Sequence, residues 1–324
     1  MIATVVRGCG AYLPENAVHN NDLEKRLDTS HEWIVERTGI ENRYVAAEGQ
    51  TTSMLAAQAC IAALTQAGWS ADSVDMLVVA TTTPDRTFPA TAVMVQQAIG
   101  MKHGFAFDVQ AVCSGFVYAL AVVDQFIKTG QVKRALVVGA ETFSRLLNWQ
   151  DRTTAVLFGD GAGALAVEAV ADANNNAKEQ GILATMLHSD PVGLDFLRTD
   201  GGVSLDGRVG VVEMNGREVF RHAVARMGEV SANILHHHGL TAADIDWLIP
   251  HQANRRIIEA VAKKLELPVE KIVLTVQKHG NTSAASIPLA LAAAQQDGRL
   301  QAGQLLLLTA MGAGFTWGGA LLRW

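Results

Sequence analysis

Apolar residues in this chain occur in two kinds of run. Short unbroken runs, such as MLVVA at 76–80 and LLLL at 305–308, have the length of buried strands. Between such runs, apolar positions recur every three or four residues. Phe116, Leu120, Val123 and Ile127 mark one helical face, and Ile257, Ile258, Val261 and Leu265 mark another. Strands alternating with amphipathic helices predict an α/β fold with mostly parallel sheets.

The pattern occurs twice. AAQACIAALTQAGWSADSVDMLVVATTTPD from Ala56 matches VSANILHHHGLTAADIDWLIPHQAN from Val230: helix, Gly turn, Ser70 or Thr241 as a cap, Asp75 or Asp246, then a buried-type strand. FAFDVQAVCSGFVYALAVVDQFIKTG from Phe105 and IVLTVQKHGNTSAASIPLALAAAQQDG from Ile272 both read strand, sharp turn, helix. Cys113 and Asn281 lie 168 residues apart, as do Gly130 and Gly298. Each helix leads to an apolar strand, RALVVGAE or QLLLLTAMG, and then to a Gly-rich return strand. A repeat of this size implies two duplicated α/β halves around a pseudo-twofold axis. Their expected spans are 1–172 and 173–324, parted in the polar ADANNNAKEQG near 170–180.

Composition narrows the picture. The 324 residues are 49% hydrophobic and 18% charged, enough for a large core, and the net charge of −6 does not favour nucleic acid as a partner. No apolar run reaches membrane-span length, and the N-terminus lacks the pattern of a secretory leader. Three scattered cysteines, Cys9, Cys60 and Cys113, make no disulfide framework and no CxxC metal pair. A reducing, cytoplasmic setting is expected. FGDGAG from Phe158 has neither the spacing nor the setting of a phosphate loop, so it reads as tight backbone packing. The histidines at 236–238 read as a helix end before Gly239.

Three residues draw chemical interest. Cys113 falls between a strand and a helix, where free backbone N–H groups favour a thiolate, and Ser114 and Gly115 leave room for a sharp turn. It reads either as a nucleophile or as a buried structural cysteine. His251 ends the DWLIP strand and reads as a pocket residue or a core one. Asn281, after Gly280, reads as a functional amide or a helix cap. All three sit at strand-to-helix junctions, which parallel strands deliver to one edge of a sheet where ligands bind. Chance placement of all three is far less expected than of any one.

EWIVERTGIENR from Glu32, FDVQAVCSGFVYAL around Cys113, FGDGAGA, HQANRRI from His251 and HGNTSAASIP around Asn281 together resemble β-ketoacyl-acyl-carrier-protein synthase III, the initiating condensing enzymes of bacterial fatty-acid synthesis. The likeness spans almost the whole chain. It implies a thiolase-like layered αβαβα fold with Cys113, His251 and Asn281 as the catalytic set. The implied reaction is decarboxylative condensation of a short acyl-coenzyme A with malonyl-acyl-carrier protein. A specialised acyl-coenzyme A condensing or acyl-transfer enzyme on the same fold is the alternative. Coenzyme A thioesters would be substrates, with no cofactor and no metal.

The resemblance also implies an oxyanion hole from the backbone N–H groups of Cys113 and Gly314. Trp33 and Arg152 would sandwich adenine, Arg37 would meet the nucleotide phosphates, and Gly216 and Phe220 would line the pantetheine tunnel. Arg221, Arg256, Lys263 and Lys264 would dock the acidic carrier protein. Phe88 would gate the acyl pocket of a neighbour across a homodimer interface. The resemblance assigns no role to Arg217, which stands where well-known members carry a small polar residue.

Overall fold

A computed structural model describes residues 2–171 and 180–324. The first half opens with β1 (Ile2–Tyr12), β2 (Ala17–His19), α1 (Asn20–Glu24), α2 (His31–Thr38) and β3 (Asn42–Tyr44). It continues through α3 (Thr52–Ala67), β4 (Met76–Ala80), α4 (Thr91–Ala98), β5 (Phe105–Val109), α5 (Gly115–Lys128), β6 (Arg134–Glu141), α6 (Arg152–Ala155) and β7 (Gly161–Ala171). The second half opens with β8 (Gly181–Ser189), β9 (Leu197–Thr199), β10 (Val212–Met214), α7 (Gly216–His237), β11 (Trp247–Pro250) and α8 (Arg255–Lys264). It closes with α9 (Val276–His279), α10 (Ser286–Gln296), β12 (Leu305–Gly312) and β13 (Thr316–Arg323).

Two sheets have the same topology. The first runs β1-β7-β6-β4-β5 and the second β8-β13-β12-β11. In the first, β4 and β5 run parallel to their neighbours and the return strand β7 is antiparallel; in the second, β11 is parallel to β12 and the return strand β13 is antiparallel. The counterpart of β5 is reduced to a bridge between Leu248 and Ile272. The two central helices, α5 and α10, share one apolar cluster with both sheets and fill the space between them. Helices α3 and α4 cover the outer face of the first sheet, and α7 and α8 that of the second. This is the expected five-layered α/β architecture. The expected boundary between halves, at 172/173, lies outside the described residues.

The structural repeat differs from the sequence reading in register. Met76 and Trp247, Gly115 and Ser286, and Arg134 and Leu305 begin equivalent elements, each pair 171 residues apart. The spacing of 168 between Gly130 and Gly298 arises because α10 has 11 residues against 14 in α5. Cys113 therefore corresponds to Ala284. Asn281 sits three residues earlier, before the turn rather than in it. The expected strand before Asn281 is also mostly gone, replaced by the single helical turn of α9. Ser70 and Thr241 begin single 3-10 turns rather than full helices; Thr241 N and Oγ1 both donate to Asp244 Oδ2, at 2.7 and 2.8 Å.

The halves meet closely. A Cβ on Gly139 of β6 would overlap the carbonyl oxygen of Ala284 in the turn before α10. Both atoms are anchored in backbone, so relief would require moving a strand or a helix. Gly139→Ala should cost about 2 kcal/mol through overpacking, read as a lower midpoint in urea unfolding.

Candidate active site

The turn that carries Cys113 is tight. Val112 has φ of +47°, costly for a β-branched residue, and residues 112–114 form one 3-10 turn before α5. Ser114 Oγ holds the turn by donating to Ala111 O at 2.7 Å, and it lies 2.8 Å from the Thr316 hydroxyl. The end of β12 backs it: a Cβ on Gly312 would lie 2.8 Å from both Ala111 O and Cys113 N. Only glycine admits this approach.

The second turn, 283–285, has the equivalent strained position at Ser283, with φ of +50°. Its backbone N–H donates to Asn281 Oδ1 at 2.9 Å. That bond fixes the carboxamide: its oxygen must face the N–H, which leaves the NH₂ group as the outward donor. The Asn281 backbone is tied to the strand-end loop at 157–159, with N donating to Leu157 O at 2.9 Å and O accepting from Gly159 N at 3.0 Å. Arg43, fully buried beneath this loop, donates to Val18 O and Val156 O.

His251 leaves the end of β11 with its N–H bonded to Thr309 O at 2.8 Å. Its neighbour Gln252 replaces the missing strand pairing. Gln252 Nε2 donates to Pro250 O and Val273 O, while Oε1 accepts from Thr275 N and Val276 N at 2.9 and 3.1 Å. One buried side chain thus joins the His251 strand to the segment that leads to Asn281.

Cys113, His251 and Asn281 are 5%, 2% and 5% exposed and line one cavity of about 480 Å³. Burial dominates their charge states. It pushes the Cys113 thiol up to about 12; the Ser283 side chain lowers it in part and Glu141 raises it further. The expected preference for thiolate at a helix start is therefore outweighed in this dry turn. Burial also lowers His251 to about 3, so its imidazole is neutral near pH 7. His251 Nδ1 has no hydrogen-bond partner among the described residues.

Of the other expected residues, Arg37, Gly216, Phe220 and Arg256 line the same cavity. So does Arg217, which the sequence reading left without a role. Among the described residues no carboxylate lines this cavity, and Arg37, Arg217 and Arg256 stand in no ion pair. Their neighbours Arg221 and Arg255 do, with Glu218 and Glu259, each at 2.6 Å.

Trp33 and Arg152 do not line the cavity. The Arg152 guanidinium lies 5.2 Å from the Trp33 ring centre, so the two stack on each other and leave no slot for a base between them. Arg37 approaches the same ring at 5.8 Å. Gly314 is also not among the lining residues; its φ of +129° lies in glycine territory two residues beyond Gly312. Lys264 is partly committed elsewhere, its Nζ donating to Ala225 O at 3.1 Å and its stem packing on Gly228. Lys263 is exposed beside it. Phe88 is 83% exposed. Two expected features of packing hold: α7 ends at His237, and Asp160 of the FGDGAG segment serves the backbone by accepting from Ala46 N and Ser144 N.

The chain is similar to known proteins over its whole length. Family models described as 3-oxoacyl-[acyl-carrier-protein (ACP)] synthase III and its C-terminal part match residues 107–191 and 235–324. A β-ketoacyl-[acyl-carrier-protein] synthase III of Paramagnetospirillum magneticum is 60% identical over 100% of this chain and 99% of its own length. One from Rhizobium meliloti is 59% identical, with both chains fully covered. The crystal structure of 3-oxoacyl-[acyl-carrier-protein] synthase III from Aquifex aeolicus superposes with a TM-score of 0.93 at 46% identity, covering 99% of this chain and 100% of that one. On the fold and these relatives together, the chain belongs to the β-ketoacyl-acyl-carrier-protein synthase III family.

Proposed function

We propose that Cys113, His251 and Asn281 carry out the family's reaction, condensation of a short acyl-coenzyme A with malonyl-acyl-carrier protein to begin fatty-acid synthesis. The relatives at 59–60% identity carry the name β-ketoacyl-[acyl-carrier-protein] synthase III over the full chain, which favours this reading over a specialised condensing enzyme. The observation that carries the residue assignment is the fixed Asn281 carboxamide, whose NH₂ donor is left over beside a neutral histidine.

In the first step Cys113 Sγ bonds to the acyl carbonyl carbon and the bond from that carbon to the coenzyme A sulfur breaks. The thiol proton ends on the departing coenzyme A, so no strong base is required. The Cys113 N–H and the N–H of Gly314 serve the developing oxyanion. In the second step the malonyl thioester loses carbon dioxide, and the electron pair becomes an enolate. Asn281 Nδ2–H and a neutral His251 N–H donate to its oxygen. The enolate carbon then attacks the acyl-enzyme, and Cys113 leaves to regain a proton. Covalent capture divides one hard transfer into two easier ones. No step calls on a metal or a resident cofactor.

A thioester hydrolase is disfavoured by the same site, because a histidine lowered to about 3 is a poor base for water.

Both substrates carry a phosphate on a pantetheine arm. Arg37, Arg217 and Arg256 suit that group: three guanidinium groups around a carboxylate-free cavity, with Gly216 and Phe220 along the arm. Arg221 and Lys263 extend the basic face toward an acidic carrier protein, and Lys264 contributes less because of its bond to Ala225. Adenine recognition by Trp33 and Arg152 requires the two to part, with adenine replacing their mutual stack.

We further infer a homodimer. Phe88 projects on an exposed loop, and β5 leaves one edge of the first sheet open, with Phe105 at its start 42% exposed. No helix among the described residues is long and apolar enough to cross a membrane. Three free cysteines suit the reducing cytoplasm.

Two measurements test this reading. His251→Ala and Asn281→Ala should each lower single-turnover malonyl decarboxylation by about a hundredfold or more, while acylation of Cys113 changes far less; equal losses in both steps contradict the assignment. Arg217→Ala should raise the KM for acyl-coenzyme A about tenfold, near 1.4 kcal/mol, with kcat kept and a weaker dependence on salt. An unchanged KM removes Arg217 from the phosphate site.

A further inference from the structure

Glu141 ends β6 with no exposed surface, and the mechanism above makes no use of it. It has no ion-pair partner among the described residues. Its carboxylate is held instead by neutral donors. Oε2 accepts from Thr83 Oγ1 at 2.6 Å, Thr82 N at 3.1 Å, Thr83 N at 3.2 Å and Thr81 Oγ1 at 3.3 Å. Oε1 accepts from Thr82 N at 3.2 Å and from Ser283 Oγ at 3.1 Å. A buried carboxylate is costly unless its acceptor sites are filled. Five of these six bonds come from residues 81–83 of its own half, at the end of β4. The sixth crosses to the other half.

That sixth bond reaches the residue that orients Asn281. Ser283 is held at φ of +50°, and its N–H bonds Asn281 Oδ1. A chain of two hydrogen bonds therefore runs from Glu141 through Ser283 to the carboxamide that faces the cavity. The repeat sharpens the point. The position equivalent to Glu141 in the second half is Gly312, which backs the Cys113 turn with bare backbone. The two turns are alike in backbone, but one rests on a glycine and the other on a carboxylate. The first must admit close approach to a nucleophile; the second must hold a serine hydroxyl in one direction.

We propose that Glu141 is a positioning residue for the decarboxylation step, fixing Ser283 and through it the direction of the Asn281 amide. This rests on the assignment of Asn281 to that step. The ionised carboxylate is the form that accepts from Ser283 Oγ; protonation places a donor among donors and releases the hydroxyl. Burial raises Glu141 to about 7, so the change falls within reach of an ordinary pH series. Facing it are Thr81, Thr82, Thr83 and Ser283, which do not titrate, and Cys113, which is silent once acylated.

The test starts from enzyme acylated on Cys113 and follows condensation with malonyl-acyl-carrier protein in single turnovers from pH 5.5 to 9. Wild-type rates should fall as pH drops through about 7. Glu141→Gln should condense about tenfold to a hundredfold more slowly at pH 8 and lose that pH limb. Its acylation by acyl-coenzyme A should stay within about threefold. Glu141→Asp should recover part of the rate and keep the limb. Ser283→Ala removes the linking hydroxyl, which also lowers the Cys113 thiol; followed from enzyme already acylated on Cys113, it should condense as slowly as Glu141→Gln and lose the same pH limb, which decides the matter even if Glu141→Gln fails to fold. Wild-type condensation by Ser283→Ala, or equal loss of acylation and condensation in both variants, overturns the proposal. Asn281→Ala run alongside separates the two claims: if it impairs condensation and these variants do not, only the role of Glu141 falls.

Discussion

Two tight turns into the central helices, one from each half of a duplicated fold, must meet between two sheets with almost no space to spare. The Cys113 turn and the Ser283 turn each hold a non-glycine residue at positive φ. Each is pressed by backbone from the opposite half, Gly312 against the first and Gly139 against the second. Strain of this kind persists only where surrounding packing dictates it. The five layers supply that packing, with α5 and α10 enclosed between the sheets. The site then follows: Cys113 in one turn, Asn281 just before the other, and His251 on a neighbouring strand end.

Enclosure sets the chemistry as much as the geometry. Burial keeps both Cys113 and His251 neutral, and the Asn281 amide is neutral by nature. A dry pocket with oriented neutral donors favours charge that develops during reaction over charge already present. The cationic groups lie elsewhere along the cavity, at Arg37, Arg217 and Arg256. Attraction for an anionic arm and stabilisation of an enolate are thus assigned to different residues.

The sequence revealed the alternation of strands and helices, the duplication, and three residues that line one cavity. Long apolar periodicities and a repeated order of elements are strong signals. It misled on register, because a shorter second helix shifted Gly298 by three residues and made Asn281 look like the mate of Cys113. Gln252 was unreadable as a strand substitute, since a side chain that mimics backbone pairing leaves no periodic trace. The thiolate expectation failed because helix position is visible in a sequence and desolvation is not. Trp33 and Arg152 were expected to flank adenine; that they stack on each other instead depends on side-chain packing, which a sequence does not show. Glu141 did leave a signal: it is the acid directly after the apolar stretch ALVVGA of β6, where a carboxylate needs a reason to be buried.

Every step of the proposed chemistry depends on Cys113 carrying the acyl group inside this buried site. Intact-protein mass spectrometry after mixing with a panel of acyl-coenzyme A donors, then with malonyl-acyl-carrier protein, tests it most directly. The prediction is one acyl adduct on Cys113 that disappears as β-ketoacyl product forms. Failure to form any adduct, or an adduct that persists in Cys113→Ala, would contradict it.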